Sequence, residues 1–374
     1  MTVLTVVALL RGYRRAPFSR NSKWTGEQPL VSILVPARNE AGRILAGCVA
    51  SILGADYGRF EVIAVDDHST DATLEQLRTL ASGDERLRVI AGTEPPLGWL
   101  GKTWALHQAV GQSHGEWVLA TDADMMFTSQ ALSTALTYAR DTGCDALTLI
   151  PRLDTFGFWD RVFIPTWGWR LLLRFMFGGW NDPNARGAKA LGGFFLIRRA
   201  VLDQVGGYAG VRGEVAEDVR LAEVMKRKGV RLRIEYAFDL IGTRMYSDFS
   251  DLWESCSRNW FALLDFSLLS SIGLVLVTFL VAVLPPACAF VWTAHALSSG
   301  ALPQNVLYFL LVSVWLMQVM LIALVNRWHK IRAVYALATP LGFLLQCVLI
   351  CNSMWSIKFG KGVTWRGRRI YESV

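Results

Sequence analysis

Two long stretches of this 374-residue chain contain no Asp, Glu, Lys or Arg: residues 266–326 and residues 333–357. Soluble cores rarely run this far without a charge, so the absence favours insertion into a membrane; a buried core helix is the alternative. It agrees with a hydrophobic content of 52% and a mean hydropathy of +0.32. We predict a transmembrane region over residues 266–357, with two spans in the first stretch and one in the second. Pro285–Pro286 and residues 298–303 are candidate breaks.

Other patterns are missing as well, and each absence argues against a class of site or partner. The six cysteines include no Cys-x-x-Cys pair, so nothing indicates a zinc site or an oxidising compartment. The net charge of +7 is spread along the polar part and the tail, without a basic block interleaved with aromatic residues. This distribution argues against nucleic acid as a partner and favours anionic lipid headgroups.

The apolar run at the N-terminus is too short for a normal membrane span. It covers about ten residues, is followed by Arg11, Arg14 and Arg15, and lacks the small-residue cleavage site of a signal peptide. We expect residues 1–29 to form a short apolar and basic segment next to the membrane.

From about residue 30 to residue 150, strand-like and helix-like segments alternate. "LVSILVPARNE", "FEVIAVDDHSTDAT", "LRVIAG" and "EWVLATDAD" look like strands, while "AGRILAGCVASIL" and "GKTWALHQAVGQS" have helical periodicity. This alternation predicts an α/β domain with a mostly parallel sheet covered on both faces. Ligands of such sheets gather beyond the carboxyl ends of the strands. That is where Asp66, Asp67, Asp122 and Asp124 fall.

Asp122 and Asp124 stand one residue apart at a strand end, directly before the hydrophobic residues 125–127. Carboxylates in such surroundings are costly unless a positive charge lies between them. Because Mg²⁺ and Mn²⁺ prefer oxygen ligands, we predict a divalent cation on Asp124 and Asp122 that neutralises a diphosphate. Lys102 would add a compact positive charge for phosphate or ribose oxygens. The alternative is a solvated loop end, the usual meaning of an isolated Asp-x-Asp.

Five motifs stand in the order and approximate spacing of the family-two glycosyltransferases with the GT-A fold: "VSILVPARNE", "VIAVDDHSTDAT", "GKTWAL", "TDAD" and "EDVRLAEVMKRKG". The resemblance covers roughly residues 30–265 and implies a Rossmann-like GT-A domain that binds a nucleotide-diphospho-sugar. "PPLGWLGKTWAL" and "NDPNARGAKALGGFFLIRR" resemble the hopanoid-associated and carotenoid glycosyltransferases of the membrane-bound branch. This implies a lipid acceptor, of terpenoid type, and a catalytic domain on the cytosolic side of the cell membrane.

The resemblance also implies roles for individual residues. Asp66 and Asp67 match the pair that contacts the nucleotide base and ribose, and Asp124 matches the metal-binding end of the Asp-x-Asp motif. Asp218 matches the general base of an inverting transfer, and Glu217 precedes it. A helix start is a second interpretation of these two acids, and it is compatible with the first. The donor-binding residues implied by these motifs are Pro36, Arg38, Glu40, Asp66, Asp67, Lys102, Asp122 and Arg258.

One motif departs from the pattern of processive family members, which carry Gln-x-x-Arg-Trp after the base. Here the corresponding stretch is "SCSRNW", in which Ser255 replaces Gln, Arg258 is kept and Trp260 is displaced by one position. The departure favours transfer of a single sugar over polysaccharide synthesis. For Arg258 the alternative to diphosphate binding is a surface salt bridge.

Two segments are expected to meet the membrane. Nine residues of the segment 156–180 are Phe or Trp, which predicts an amphipathic segment at the membrane interface that frames the path of a lipid acceptor; core packing is the alternative. Residues 358–374 form a basic tail. A third full crossing would place this tail outside the cell. We predict instead that Pro340 and Gly342 support a bend or a re-entrant hairpin that returns the tail to the cytosol; three complete spans are the alternative.

Two other functional classes stay open at this point. A GT-A-like nucleotidyltransferase would release pyrophosphate from a nucleoside triphosphate, although the separate Glu-Asp pair after the Asp-x-Asp motif argues against it. A catalytically silent membrane scaffold would use the acids only to solvate loop ends.

Overall fold

The computed structural model describes residues 24, 26–177, 181, 190–300, 305–360, 362–365 and 368–371. These residues fall into two compact units. The sheet unit holds the described residues up to Leu153 and those from Phe175 to Arg244. The helical unit holds Asp154–Arg174 and the described residues from Met245 onward. The predicted N-terminal segment, residues 1–29, lies almost wholly outside the described residues.

The sheet unit alternates strands and helices along most of its length. Its strands are β1 (Val31–Ala37), β2 (Phe60–Asp66), β3 (Leu87–Ala91), β4 (Trp117–Ala120), β5 (Met125–Phe127), β6 (Ala146–Ile150), β7 (Arg152–Leu153), β8 (Phe195–Arg198), β9 (Leu232–Tyr236) and β10 (Ile241–Thr243). Its helices are α1 (Leu45–Leu53), α2 (Thr73–Ala81), α3 (Gly101–Gly111), α4 (Ala131–Thr142), α6 (Arg199–Gln204) and α7 (Glu217–Arg227), with a 3₁₀ turn at Gly207–Val211. Helix α5 (Phe158–Phe177) begins in the helical unit.

Seven of these strands form one sheet in the order β3–β2–β1–β4–β8–β6–β9. Every neighbouring pair is parallel except the two that involve β8, which runs antiparallel to β4 and β6. A hydrophobic cluster covers each face, one around α1 and α4 and the other around α3 and α7. The predicted mostly parallel α/β fold is therefore confirmed. Strands β5, β10 and β7 form a second, smaller sheet that the sequence patterns did not predict.

The helical unit consists mainly of helices, one of which, the first after Met245, carries charged residues. They are α8 (Phe249–Leu263), α9 (Leu268–Thr278), α10 (Leu284–Ser299), α11 (Val306–Trp328) and α12 (Thr339–Lys358), followed by the strands β11 (Val363–Trp365) and β12 (Arg368–Tyr371). Three helical stretches are long and apolar enough to cross a membrane: Leu268–Ser299, Val306–Trp328 and Ala333–Lys358. This matches the predicted number of spans, counted over the residues that the structure describes.

One of the two predicted breaks in the first apolar stretch is wrong. Pro285 and Pro286 lie in the first turn of α10, directly after a π-helical turn at Phe279–Val283, and the helical stretch continues through them. The π-helical turn is a local change of hydrogen-bond register, and it lies directly before the two residues that lack an N–H group. The second break is where the helix ends, at Ser299, before Gly300 with φ +69°.

The predicted hairpin at Pro340 and Gly342 is also wrong. Helix α12 runs without interruption from Thr339 to Lys358, with Pro340 in its first turn. A 3₁₀ turn at Ala333–Ala338 precedes it, so the change of structure comes before the proline and not at it. The side of the membrane on which the basic tail lies stays a prediction.

The aromatic segment 156–180 forms helix α5 over most of its length. In the part whose side chains are described, Val162, Phe163 and Ile164 are buried, whereas Phe158 and Trp159 are exposed. Arg161 donates from Nη1 to the hydroxyl of Tyr335 at 2.8 Å, within the same unit. The segment therefore combines core packing with an exposed aromatic end, and its position at a membrane interface stays a prediction.

Gly342 permits a close approach between α12 and α5 inside the helical unit. A Cβ at this position would overlap the carbonyl oxygen of Val162. Because that atom belongs to backbone, Gly342→Ala is expected to force the helices apart and to lower the free energy of unfolding by about 2 kcal/mol or more. Thermal unfolding in detergent measures this. Gly273→Ala in α9 is the matched control, since its Cβ would meet nothing within 4 Å; equal melting temperatures of the two variants would contradict the prediction.

Candidate active site

The carboxyl ends of β1, β2 and β4 lie side by side in the sheet unit. Ala37 at the end of β1 pairs with Asp66 at the end of β2, and Thr121 after β4 donates its N–H to the carbonyl of Leu34. The residues that follow these strands therefore share one edge of the sheet. They include most of the residues that the sequence motifs single out: Arg38, Glu40, Asp66, Asp67, Asp122 and Asp124.

The loops after β1 and β2 hold each other in place. Arg38 donates from Nη1 to the carbonyl oxygen of Asp67 at 2.5 Å, and its distance to the Asp67 carboxylate is 3.9 Å. The Asp66 carboxylate accepts from the N–H of Ser69 at 3.2 Å. Asn39 and His68, one in each loop, adopt positive φ angles of 50° and 53°. Left-handed backbone at non-glycine residues is costly and is concentrated at functional sites.

Pro36 and Glu40 complete the first loop. Pro36 lies in β1 opposite Val65, beyond the last residue that pairs with β4, so its missing N–H removes no hydrogen bond on that side. The N–H of Glu40 donates to the hydroxyl of Thr73 at 2.8 Å, and its carboxylate lies 3.3 Å from Arg43 Nε. Glu40 is thus a buried acid fixed beside the strand ends.

Lys102 connects the Asp-x-Asp motif to the acids of α7. Its Nζ lies 2.8 Å from Asp122 Oδ1 and 2.7 Å from Glu217 Oε1. It belongs to the first turn of α3, which begins at Gly101. Burial disfavours its charge, but the carboxylates of Asp122, Glu217 and Asp218 outweigh that effect and hold the pKa of Lys102 well above its usual value. The lysine is therefore a permanent cation among three acids.

Asp218 lies in the first turn of α7 and accepts two backbone hydrogen bonds. Gly192 N donates to its Oδ2 at 2.6 Å, and Val219 N donates to its Oδ1 at 2.7 Å. Burial raises the pKa of both Glu217 and Asp218, and the nearby Lys102 opposes the rise. The structure thus contains the helix start that was the second interpretation of the Glu-Asp pair, and it directs both acids toward Lys102.

The charge of Asp124 is disfavoured in the folded chain. Burial, reinforced by the negative charges of Asp122 and Glu40, raises the pKa of Asp124 to about 7. Among the described residues no cluster of three or more His, Cys, Asp or Glu has metal-binding geometry. Mg²⁺ is commonly held by one or two carboxylates together with substrate phosphates and water. Two mutually repelling carboxylates fit that mode, because a cation would relieve their repulsion.

The family model described as "Glycosyl transferase family 2" matches residues 32–206. The chain carries a glycosyltransferase family 2 domain. The matched range contains the strand ends, Lys102 and the Asp-x-Asp motif, while Glu217 and Asp218 lie shortly beyond it.

The curated proteins that resemble the chain include the following two. The beta-monoglucosyldiacylglycerol synthase of Nostoc sp. is 28% identical over 214 residues, which are 55% of this chain and 43% of that protein. An N-acetylglucosaminyltransferase of Rhizobium meliloti is 36% identical over 115 residues, 30% of this chain and 26% of that protein. This chain therefore spans less than half of either relative.

A solved structure shows the fold of the family 2 domain. It is the mannosyltransferase PcManGT of Pyrobaculum calidifontis in complex with GDP-Man and Mn²⁺. The two chains are 21% identical, with a TM-score of 0.51 and a coverage of 94% of this chain and 96% of that one. At this identity the likeness supports the GT-A fold and nothing finer.

The structure adds site residues that the motifs did not identify. Gly192 and Gly193 precede β8, and a Cβ on Gly192 would lie 3.0 Å from Lys102 Nζ, 3.4 Å from Asp218 Oδ2 and 3.7 Å from Asp122 Oδ2. The hydroxyl of Thr121 donates to the carbonyl of Gly193 at 2.8 Å. Paired glycines at the start of a strand are a sequence signal of close backbone approach that could have indicated this contact.

Tyr208 is a further residue of the candidate active site that the sequence did not indicate. It lines a small cavity of about 10 Å³ together with Lys102, Thr121, Glu217 and Asp218. Burial and the nearby acids Glu217 and Asp218 raise the pKa of Tyr208, so its hydroxyl stays protonated and can donate a hydrogen bond. The remaining predicted site residue, Arg258, lies on α8 in the helical unit, where its Nε donates to Asn259 at 3.0 Å. Its role at the diphosphate stays a prediction.

Proposed function

We propose that this protein is an inverting, metal-dependent glycosyltransferase that moves a single sugar from a nucleotide-diphospho-sugar to a hydroxyl or carboxyl group of a lipid. The observation that carries the proposal is the position of Lys102. Its ammonium group joins Asp122 of the Asp-x-Asp motif to Glu217, the neighbour of Asp218, at the carboxyl edge of a family 2 sheet. In a glycosyl transfer the donor phosphates and the acceptor base lie on either side of one sugar carbon. The contacts of Lys102 bring the residues proposed for these two tasks together.

Each group of residues has a task in this reaction. Asp66 and Asp67 receive the nucleotide base and ribose, and Arg38 holds the Asp67 backbone in place for this. Lys102 attracts the diphosphate, since it is a compact cation that keeps its charge. Asp218 removes the proton of the acceptor hydroxyl. The pKa of this carboxyl is raised by burial, which strengthens it as a base.

Asp124 and Asp122 would hold Mg²⁺ or Mn²⁺, with the remaining ligands supplied by the donor phosphates and water. Bound there, the cation supplies charge compensation for the departing nucleoside diphosphate. The raised pKa of Asp124 supports this assignment, because a carboxylate confined with other acids gains most from a cation. The name of the solved relative, a GDP-Man and Mn²⁺ complex, is consistent with it.

Two features of the chain support a lipid as the acceptor. Its three membrane-length helices keep the protein at a bilayer, and the Nostoc relative is named for a diacylglycerol product. The motif resemblance to hopanoid-associated and carotenoid enzymes supports a terpenoid within this class. Because nucleotide sugars are cytosolic, the sheet unit would face the cytosol.

A donor screen tests the proposal. Purified full-length protein in detergent with Mn²⁺ is expected to show a raised melting temperature with one or more nucleoside diphosphate sugars, and then to release nucleoside diphosphate when a diacylglycerol or terpenoid acceptor is added. Pyrophosphate released from a nucleoside triphosphate would instead identify a nucleotidyltransferase. Absence of any shift or turnover across the donors would support a silent scaffold.

Gly192→Ala tests whether catalysis requires the contacts of Lys102 with Asp122 and Glu217. The added Cβ would lie 3.0 Å from Lys102 Nζ, so the ammonium would have to shift by a few tenths of an ångström relative to Asp122 and Glu217. We expect kcat/KM for the donor to fall by about 10- to 100-fold, since small misplacements of charged groups are costly in catalysis. Gly111→Ala in the same helix as Lys102 is the control, because its Cβ would meet nothing within 4 Å. Unchanged kinetics in Gly192→Ala would contradict the proposed role of Lys102 in the site.

A further inference from the structure

A turn beside the candidate active site presents a leucine wholly to solvent. The N–H of Trp99 donates to the carbonyl of Pro96, and Gly98 adopts a φ of +85°, so Leu97 occupies the tip of the turn. Leu97 is 102% exposed and Leu100 is 37% exposed. An apolar side chain fixed at a loop tip without neighbours gains nothing for the fold.

The turn is braced from below by aromatic rings. The ring of Trp99 lies 4.9 Å from that of Trp104 and 4.8 Å from that of His107, and both partners belong to α3. The Trp104 indole donates to the carbonyl of Thr93 at 2.9 Å, which ties α3 to the start of the loop. Leu97 is therefore held outward by a rigid support.

A second loop is bonded to this turn and also presents an apolar side chain. The N–H of Leu100 donates to the carbonyl of Arg212 at 2.9 Å, and a Cβ on Gly213 would lie 3.4 Å from the carbonyl of Gly98. Val215 in this second loop is 53% exposed. We call residues 97–100 and 212–215 together the apolar loop surface.

The apolar loop surface borders the acids and the lysine of the site along the chain. Leu100 precedes Lys102 by two positions, and Val215 precedes Glu217 by two positions. Lys102 and Glu217 themselves are in contact at 2.7 Å. Whatever covers this surface therefore lies next to the place where an acceptor hydroxyl must reach Asp218.

We propose that the apolar loop surface inserts into the headgroup region of a lipid bilayer and so presents the proposed lipid acceptor to Asp218. This step rests on the proposed function. A bilayer is the occupant that the chain itself indicates, because it has three helices of membrane-spanning length. A tryptophan beside exposed leucines is typical of membrane interfaces. The exposed Arg212 suits anionic lipid, and the charge of Glu214 is offset by Arg220 at 3.6 Å.

Depth-dependent quenching tests the contact without any measurement of activity. A fluorescent nitrobenzoxadiazole probe is attached to Leu97→Cys in full-length protein in which Cys288 and Cys351, the two cysteines that are not buried, are replaced by Ser. The protein is reconstituted into vesicles of phosphatidylcholine and phosphatidylglycerol. Ser82→Cys, at an exposed position after α2, carries the probe as the matched control.

Lipid-borne doxyl groups are expected to quench the probe at position 97 at least about twofold more than the probe at position 82, and aqueous iodide to quench it less. Quenching of position 97 by iodide alone would overturn the proposal. Protection of position 97 from both quenchers would also overturn it, since a second protein surface would then cover the turn.

A kinetic experiment distinguishes a failure of this inference from a failure of the proposed function. Leu97→Asp is expected to raise the KM for a vesicle-borne lipid acceptor about tenfold and to leave the KM for the donor unchanged, whereas Leu97→Phe retains wild-type values. If the wild type is active and the acceptor KM of Leu97→Asp is unchanged, the proposed role of the apolar loop surface is wrong and the proposed function still stands. An inactive wild type across all donors would instead overturn the proposed function, and the quenching result would still decide the membrane contact.

Discussion

Replacement of Asp218 by Asn is expected to lower the rate of sugar transfer by about 10²- to 10⁴-fold, the usual contribution of a general base. Donor binding is expected to stay within about twofold of wild type. Lys102 keeps its contacts to Asp122 and Glu217 in this variant, so the positive charge that receives the diphosphate does not move. Single-turnover transfer and donor titration measure the two quantities separately.

The Asp218→Asn variant must also be shown to fold. The introduced amide retains one oxygen for the N–H of Gly192 but presents an N–H₂ group where Oδ1 of the carboxylate accepted from Val219, which costs roughly 1 kcal/mol. Asp203→Asn provides the matched control, because Asp203 forms an exposed ion pair with Arg199. Loss of donor binding in Asp218→Asn would mean that the carboxylate organises the site instead of acting as its base.

The alternation of strands and helices was predictable because it depends on local sequence patterns. β1, β2, β3 and β4 each read as a short apolar run, and each is followed or preceded by helical periodicity. The three charge-free helices were predictable for the same reason, since hydropathy is a local property. Strand β8 was not predicted: it enters the sheet antiparallel between β4 and β6, and its place depends on pairing with residues far away along the chain.

The site was predictable as a set of residues but not as an arrangement. Asp66 ends a strand and Asp67, Asp122 and Asp124 follow strands, and parallel strands place their carboxyl ends at one edge. The contact between Lys102 and Glu217 joins two segments that no sequence pattern links. Gly192 contributes through its lack of a side chain; the paired glycines before β8 signal a close approach but do not identify Lys102 and Asp218 as the neighbours.

The breaks in the apolar helices were mispredicted for one physical reason. Proline was interpreted as a helix breaker at Pro285, Pro286 and Pro340, yet all three lie in the first turn of a helix. A π-helical turn precedes Pro285 and Pro286, and a 3₁₀ turn precedes Pro340, so the hydrogen-bond register already changes before each proline. Position within the helix decides the effect, and a sequence does not state where a helix begins when apolar residues continue on both sides.

Replacement of Asp124 by Asn is expected to abolish transfer and, at the same time, to stabilise the metal-free protein. Burial together with the charges of Asp122 and Glu40 raises the pKa of Asp124 from 3.8 to about 7 in the folded chain. An acid whose pKa is raised by folding destabilises the fold when it ionises, so the penalty develops as the pH rises above about 4 and is complete above about 7. Asn is neutral throughout and removes it.

At pH 8 without metal, the melting temperature of Asp124→Asn should therefore exceed that of wild type by roughly 2 to 8 °C, and at about pH 4 the two should agree. Asp141→Asn, at an exposed position, is the control and should match wild type at both pH values. Mn²⁺ should stabilise wild type and Asp141→Asn but leave Asp124→Asn nearly unchanged, because the cation loses a ligand. A variant that stayed active, or that melted below wild type at pH 8, would show that Asp124 is a structural acid with partners of its own and not the carboxylate that awaits a cation.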